Sequence, residues 1–163
     1  NVPDGQAMWE TSNSLWASVQ SGTNVVYHAA GWLEGGLSVS YEKLICDVEV
    51  LNMVAELCAG RAAGPDEIGF EALQQVDPSG HFFATTQTMA RYNTQFYEPI
   101  VHDYANHGTW TERGGVDAST RATAVWTKIL KDDVRPPVGP DKVATLEEFI
   151  AKRTSEGGAP PES

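Results

Sequence analysis

Basic residues are scarce in this sequence, in which 11 Lys and Arg stand against 22 Asp and Glu for a formal net charge of −11. Phosphate groups are bound by clustered Lys and Arg, so this balance argues against a nucleic-acid partner. An acidic surface instead attracts cations or basic protein faces. No apolar run approaches the roughly 20 residues that a membrane span requires. We therefore expect a globular chain without a nucleic-acid or membrane partner.

Cysteine is also rare, and the two thiols lie at Cys46 and Cys58. Their separation along one predicted helix corresponds to about 18 Å, which is beyond the reach of a disulfide. Two unpaired thiols predict a reducing, cytoplasmic setting. The chain also lacks HExxH, CxxC and GxSxG motifs, which argues against a zinc site and against a serine-hydrolase nucleophile. We predict no metal bound by this chain.

The closely spaced His102, Asp103 and His107 could suggest a metal site. They lie in a segment rich in aromatic residues, 97–115, that carries no helix or strand pattern. Such a segment is better explained by packing against a neighbouring domain or subunit.

Residues 24–42, NVVYHAAGWLEGGLSVSYE, are the most informative stretch that is present. A β-branched and aromatic run predicts a strand over 24–29, and the glycines at 31, 35 and 36 predict a loop. A long amphipathic helix follows, capped by Ser38 or Ser40. Strand, loop and helix in this order form the βα unit of an α/β protein, whose sites lie beyond the carboxyl ends of the strands.

The long helix should bury an apolar stripe and expose an acidic one. The predicted apolar stripe consists of Leu44, Ile45, Val48, Leu51, Ala55 and Cys58. The predicted solvent-facing stripe consists of Glu42, Glu49 and Glu56.

The remaining pattern is mostly helical. Asp4 is expected to cap a first helix that ends near Gln20, and a brief second strand is predicted at 81–83. Further helices are predicted at 65–75, 85–93, 117–131 and 146–153. The domain interpretation is a main body over 1–134, a Pro-rich linker with a terminal helix over 135–153, and a flexible tail over 154–163.

The loop after the predicted strand favours a cationic ligand. No Lys or Arg occurs between Asn24 and Glu42, so a phosphate cradle is disfavoured. Trp32 and Tyr27 offer aromatic faces that can attract a quaternary ammonium group, and Glu34 adds an acid. Two plainer explanations stay open: the aromatics could pack in a core, and Glu34 could interact with the N-terminal dipole of the next helix. His28 and His81, at the predicted strand ends, could act as bases or ligands, or could be structural.

Several segments, taken in order, resemble the C-terminal part of the trimethylamine methyltransferase family, and they cover nearly the whole chain. The segments are PDGQA at 3–7 with Glu10, GTNVVY at 22–27, GWLEGGL at 31–37, YEK at 41–43, DPSGHF at 77–82, Trp110, Gly114-Gly115, Arg121-Ala122 and LEEF at 146–149.

This resemblance implies an α/β fold, namely the C-terminal part of a (β/α)8 TIM-type barrel that is helix-rich as a fragment. It implies methyl transfer from a methylated or quaternary amine, such as trimethylamine or glycine betaine, to the Co(I) corrinoid of a separate partner protein. Pyrrolysine, which some family members use, does not occur in these 163 residues. We favour the quaternary-amine branch, in which His28 could meet a betaine carboxylate.

The candidate site residues follow from the loop and the resemblance together. Glu34 and His81 are the candidate catalytic residues, and the candidate substrate-binding residues are Tyr27, Trp32, His28, Gln6 and Asp4. The alternatives are a module that binds quaternary amines or a partner without turnover, and an inactive barrel fragment. The chain opens on NVPDGQA without an initiator Met, so we expect an excised piece whose uncovered edges favour a homo-oligomer.

Overall fold

The computed structural model describes residues 2–132 and 138–158, and it is dominated by helices. The chain divides into two compact units, Asn1–Lys128 and Ile129–Ser163. The elements in chain order are α1 (Gly5–Gln20), β1 (Trp32–Leu33), β2 (Ser38–Val39), α2 (Tyr41–Cys58), α3 (Pro65–Ile68), α4 (Phe70–Gln74), α5 (Thr86–Arg91), α6 (His107–Glu112), α7 (Ala118–Lys131) and α8 (Pro140–Ser155). None of the helices in the described ranges is long and apolar enough to cross a bilayer.

The caps of the two long N-terminal helices confirm the predictions. Asp4 accepts a hydrogen bond from the Ala7 backbone N–H at 3.1 Å and starts α1. Ser40 accepts one from the Lys43 N–H at 3.2 Å and starts α2. In both cases a short polar side chain satisfies a donor that the first helical turn leaves free.

The strand predicted at 24–29 is wrong, because these residues form an irregular segment with a turn at Tyr27 and His28. His28 has a left-handed backbone with φ 56°, which interrupts any extended run. A strand also needs a neighbour for its backbone hydrogen bonds, and the described residues provide none here. The only ladder in the described part of the chain is the short antiparallel hairpin that pairs Trp32 with Val39 and Leu33 with Ser38.

Other predictions need smaller corrections. The helix predicted at 65–75 is broken into α3 and α4 at Gly69, whose φ is 72°. The strand predicted at 81–83 is instead a 3-10 turn over Phe82–Ala84. The segment 97–115 contains the short helix α6, and α8 begins at Pro140, six residues before the predicted start. Most of the predicted Pro-rich linker, 135–137, lies outside the described residues.

The acidic stripe predicted to face solvent on α2 is the most instructive error. Glu49 is only 5% exposed and Glu42 is half-buried, whereas Leu44, Ala55 and Cys58 from the predicted apolar stripe are exposed. The packed face of α2 also carries Lys43 and Asp47, which are 4% and 1% exposed. Helical periodicity assumes that the buried face is apolar, and here long-range hydrogen bonds compensate buried charges instead.

Lys43 and Asp47 form a buried ion pair one helical turn apart, with Nζ 2.6 Å from Oδ1. Lys43 also donates to Thr11 Oγ1 on α1 at 2.7 Å. Asp47 Oδ2 accepts from the Gly31 backbone N–H at 2.8 Å. The pair therefore ties α1, α2 and the segment before β1 together.

Glu49 holds the segment that follows α5. Its carboxylate accepts hydrogen bonds from the Tyr97 hydroxyl at 2.6 Å and from the backbone N–H groups of Val101 and His102. Burial opposes the charged form of Glu49, but these hydrogen bonds outweigh it and the pKa lies below its ordinary value. Burial and the bond to Glu49 raise the pKa of the Tyr97 hydroxyl.

Glu42 connects α2 to α7. Its Oε1 accepts from the Trp126 indole N–H at 2.7 Å and from the Thr123 hydroxyl at 3.0 Å. The hydrogen bond from its own backbone N–H, together with those from Trp126 and Ser40, lowers the pKa of Glu42 to about 2. The apolar core beside these contacts is small, comprising Ile45, Cys46, Val101 and Ala122 with Met8, Val125 and Trp126 packed against them.

We predict that Asp47→Ala destabilises the chain by about 3–5 kcal/mol, because it leaves the Lys43 ammonium buried without its partner. The comparison is Glu56→Ala, which breaks the exposed Glu56–Arg61 pair and should cost less than about 1 kcal/mol. Urea unfolding of both variants measures the two free energies. Equal losses would show that the Lys43–Asp47 pair does not organise the fold.

Glu42 should make stability dependent on pH. Its folded pKa of about 2 lies below the ordinary value of 4.5, so its contribution is complete above about pH 4.5 and is lost as the pH falls toward 2. We expect the difference in unfolding free energy between the wild type and Glu42→Gln to be largest at pH 6 and to shrink steadily as the pH falls toward 2. Glu71→Gln, which removes an exposed carboxylate on α4, is measured alongside as the matched control. A Glu42→Gln difference that stays constant with pH would contradict this assignment.

Candidate functional site

A cleft of about 770 Å³ lies between α1 and the segment that leads through β1. One wall comes from α1 and the other from residues 26–36, and Lys43 of α2 also lines it. The lining residues are Asp4, Gln6, Ala7, Glu10, Thr11, Ser14, Leu15, Ser18, Val26, Tyr27, His28, Ala29, Trp32, Leu33, Glu34, Gly35, Gly36 and Lys43. Both walls are therefore positioned by the Lys43–Asp47 pair.

The cleft brings together six of the seven candidate site residues: Asp4, Gln6, Tyr27, His28, Trp32 and Glu34. His81 does not line it. The His81 side chain is exposed beside the 3-10 turn at Phe82–Ala84, with its ring 5.2 Å from that of Phe83. The described residues therefore bring the other six candidate residues together in one cleft and leave His81 outside it.

The aromatic side chains of the cleft are exposed. Tyr27 is 82% and Trp32 37% exposed, so neither packs in a core within the described residues. The His28 ring meets Trp32 edge-on, with centroids 4.8 Å apart and planes at 82°. Open aromatic faces beside a polar cleft suit a cation that can shed part of its hydration.

Glu34 occupies an unusual backbone position. Its φ is 55°, and Gly35 and Gly36 follow with φ 63° and 93°, so three consecutive residues are left-handed. A left-handed backbone is strained for a residue with a side chain, and such residues concentrate at functional sites. Ser38 Oγ donates to Glu34 Oε2 at 2.7 Å and orients the carboxylate. The acid in the first turn of α2 is Glu42, so a role at that helix dipole falls to Glu42 rather than to Glu34.

The electrostatics of the cleft are acidic. Asp4, Glu10 and Glu34 line it, and the charge of Lys43 is compensated by Asp47. On the α1 wall, Gln6 Nε2 donates to Glu10 Oε1 at 2.8 Å. An anionic ligand would meet uncompensated carboxylates, whereas a cation would be attracted.

Sequence reasoning missed Thr11 and Lys43 as lining residues. Lys43 lies just beyond the stretch without basic residues, and its i,i+4 spacing to Asp47 was the available signal. Thr11 has no local signal, because its partner Lys43 is 32 positions away.

The described residues contain no group of three His, Cys, Asp or Glu side chains that could hold a metal ion. The backbone N–H of His102 donates to Glu49, and Asp103 Oδ1 accepts from the Ala105 N–H at 2.8 Å. These contacts give the two residues structural partners.

Comparison with known protein sequences identifies the family of this chain. The sequence profile of the trimethylamine methyltransferase family matches residues 1–158. The chain belongs to the trimethylamine methyltransferase family. The resemblance to this family that was inferred from weak sequence motifs is thereby confirmed.

The curated relatives of this chain include methyltransferases that are named for two different amines. A glycine betaine methyltransferase of Desulfitobacterium hafniense strain Y51 is 34% identical over 155 residues, covering 95% of this chain and 32% of the relative. A trimethylamine methyltransferase of Methanosarcina mazei is 29% identical over 153 residues, covering 93% of this chain and 30% of the relative. The chain thus spans about a third of the length of the curated relatives it matches.

We predict that Gly35→Ala destabilises the chain by about 1 kcal/mol through its left-handed turn at residues 34–36. A Cβ at Gly35 would meet nothing within 4 Å, so the cost comes only from its φ of 63°. The matched control is Gly5→Ala, where the added Cβ also meets nothing within 4 Å and φ is not left-handed. Gly5→Ala should be neutral or slightly stabilising in thermal unfolding. Identical shifts in the two variants would contradict the turn geometry.

Proposed function

We propose that this chain is the C-terminal part of a corrinoid-dependent methyltransferase that takes a methyl group from a quaternary amine such as glycine betaine. The acceptor is the Co(I) corrinoid of a separate partner protein. The observation that carries the proposal is the acidic, aromatic-lined cleft between α1 and residues 26–36. Family membership supports the reaction class.

We also propose that the chain completes a (β/α)8 barrel together with a further part of the protein. Support comes from the length of the relatives and from apolar side chains that the described residues leave uncovered. Leu37 is 88%, Val39 71% and Tyr41 57% exposed, close to the hairpin and the start of α2. Side chains of this kind are expected to be covered by the rest of the barrel or by a second copy.

The proposed chemistry breaks one C–N bond of the substrate. The methyl group leaves without the bonding electrons, and the nitrogen keeps the pair and becomes a neutral tertiary amine. When bound, the Co(I) corrinoid supplies the electron pair for the new bond to the methyl group. The residues of this chain desolvate and orient the cation, and no proton transfer is required of them.

In this proposal Trp32, Tyr27 and Glu34 contact the quaternary ammonium group. Aromatic faces and a carboxylate both favour the positive charge. That charge disappears from nitrogen as the bond breaks, so these contacts stabilise the bound substrate more than the transition state. Their removal should therefore affect substrate binding more than turnover. His28, edge-on to Trp32, is placed to contact the remaining part of the substrate.

The test is Glu34→Gln in the full-length protein that carries this chain. We expect the KM for glycine betaine to rise about threefold to tenfold and kcat to stay the same or rise slightly, because the lost charge contact stabilises the bound substrate more than the transition state. Methyl transfer to the corrinoid is measured through the change in the absorbance of the corrinoid. Glu71→Gln, an exposed glutamate on α4 outside the cleft, should leave both constants unchanged. An unchanged KM in Glu34→Gln would remove Glu34 from the substrate site.

One observation favours binding without turnover as the second candidate: both walls of the cleft are built from this chain alone. Calorimetry with glycine betaine, run beside the transfer assay, separates the two functions. Binding that is lost in Glu34→Gln, without any methyl transfer by the wild type, would favour the binding module.

A further inference from the structure

Thr11 carries a hydroxyl group whose hydrogen-bonding direction is fixed by its neighbour. It lies on the α1 wall of the cleft, with Oγ1 2.7 Å from Lys43 Nζ. An ammonium group has donors and no acceptor, so Thr11 Oγ1 must accept this hydrogen bond. The hydroxyl proton therefore points away from Lys43 and is available to another acceptor.

Lys43 cannot contact a ligand in the same way. Its Nζ lies 2.6 Å from each Asp47 carboxylate oxygen and 2.7 Å from Thr11 Oγ1, so its three N–H groups have three acceptors. The residue is only 4% exposed. Thr11 is the group through which the buried ammonium acts on the cleft, because accepting a charged hydrogen bond makes its own hydroxyl a stronger donor.

Within the described ranges, no protein acceptor takes the Thr11 hydroxyl proton, although nearby polar side chains of the α1 wall are engaged. Glu10 Oε1 accepts from Gln6, and Asp4 Oδ1 accepts from the Ala7 N–H. Among the residues that the structure describes, the half-buried Thr11 hydroxyl thus has no acceptor for its proton, and it lies on the surface of an otherwise acidic cleft.

We propose that Thr11 is a specificity-determining residue that donates a hydrogen bond to the carboxylate of an amino-acid betaine. This inference rests on the proposed function and deepens it. The ammonium end of such a zwitterion lies against Trp32, Tyr27 and Glu34, and its carboxylate lies at Thr11 next to Lys43, the one basic residue that lines the cleft in the described part of the chain. A site built to donate to a carboxylate discriminates against a quaternary amine that lacks one.

The test uses the full-length protein with Thr11→Val, which removes the hydroxyl at nearly constant volume, and Thr11→Ser, which restores it. Methyl transfer is measured with glycine betaine and with tetramethylammonium, which has no carboxylate. We expect the ratio of the two KM values, glycine betaine over tetramethylammonium, to rise about tenfold in Thr11→Val. It should return to within about twofold of the wild type in Thr11→Ser.

Both substrates are measured on the same preparation, so a loss of folded protein leaves the ratio unchanged. An unchanged ratio in Thr11→Val, or a ratio that Thr11→Ser does not restore, overturns the proposal. If the wild type transfers methyl groups from neither compound, the proposed function fails. Calorimetry of the same two compounds then decides about Thr11: selective loss of glycine betaine binding in Thr11→Val supports it, and any other result overturns it.

Discussion

The buried pair of Lys43 and Asp47 is the interaction on which the cleft depends. The same i,i+4 pair on an exposed helix contributes only a few tenths of a kcal/mol. Here both partners are almost fully buried, and each makes a further hydrogen bond, to Thr11 on α1 and from Gly31 before β1. A buried ion pair adds little net stability over apolar packing, but it penalises any arrangement that leaves one charge unpaired. The pair therefore fixes where the two walls of the cleft stand.

Two other acids on α2, which do not line the cleft, also hold separate segments in place through hydrogen bonds. Glu49 holds the segment around Val101, and Glu42 holds α7 through Trp126. The apolar cluster between them is small, so directional hydrogen bonds carry much of the information about relative placement. Gly31 has a matching requirement: its φ of 84° is a left-handed conformation that favours glycine, and in this conformation its N–H donates to Asp47.

The cleft offers a polar and aromatic environment for a ligand rather than a reactive group of its own. Open aromatic faces, carboxylates and a compensated lysine suit a methylated cation better than a phosphate. The left-handed backbone at Glu34 shows that the turn is held in a costly conformation by its surroundings. The proposed reaction of a quaternary amine requires no acid or base from this chain, because the leaving nitrogen becomes a neutral amine. A site without an obvious nucleophile is consistent with that chemistry.

By itself, the sequence determined the helices with strong local signals and most of the candidate site. Asp4 and Ser40 act through donors three residues away, and six candidate site residues lie in two short stretches that line one cleft. Tertiary structure decided which face of α2 is buried, the irregular path of residues 24–29 and the separation of His81 from the cleft. The physical reason is range: Glu49 meets Tyr97 and Val101 about 50 positions away, and Lys43 meets Thr11 across 32. No local sequence pattern indicates partners at such distances. From the sequence alone, the acids of α2 therefore resemble a solvent-facing stripe.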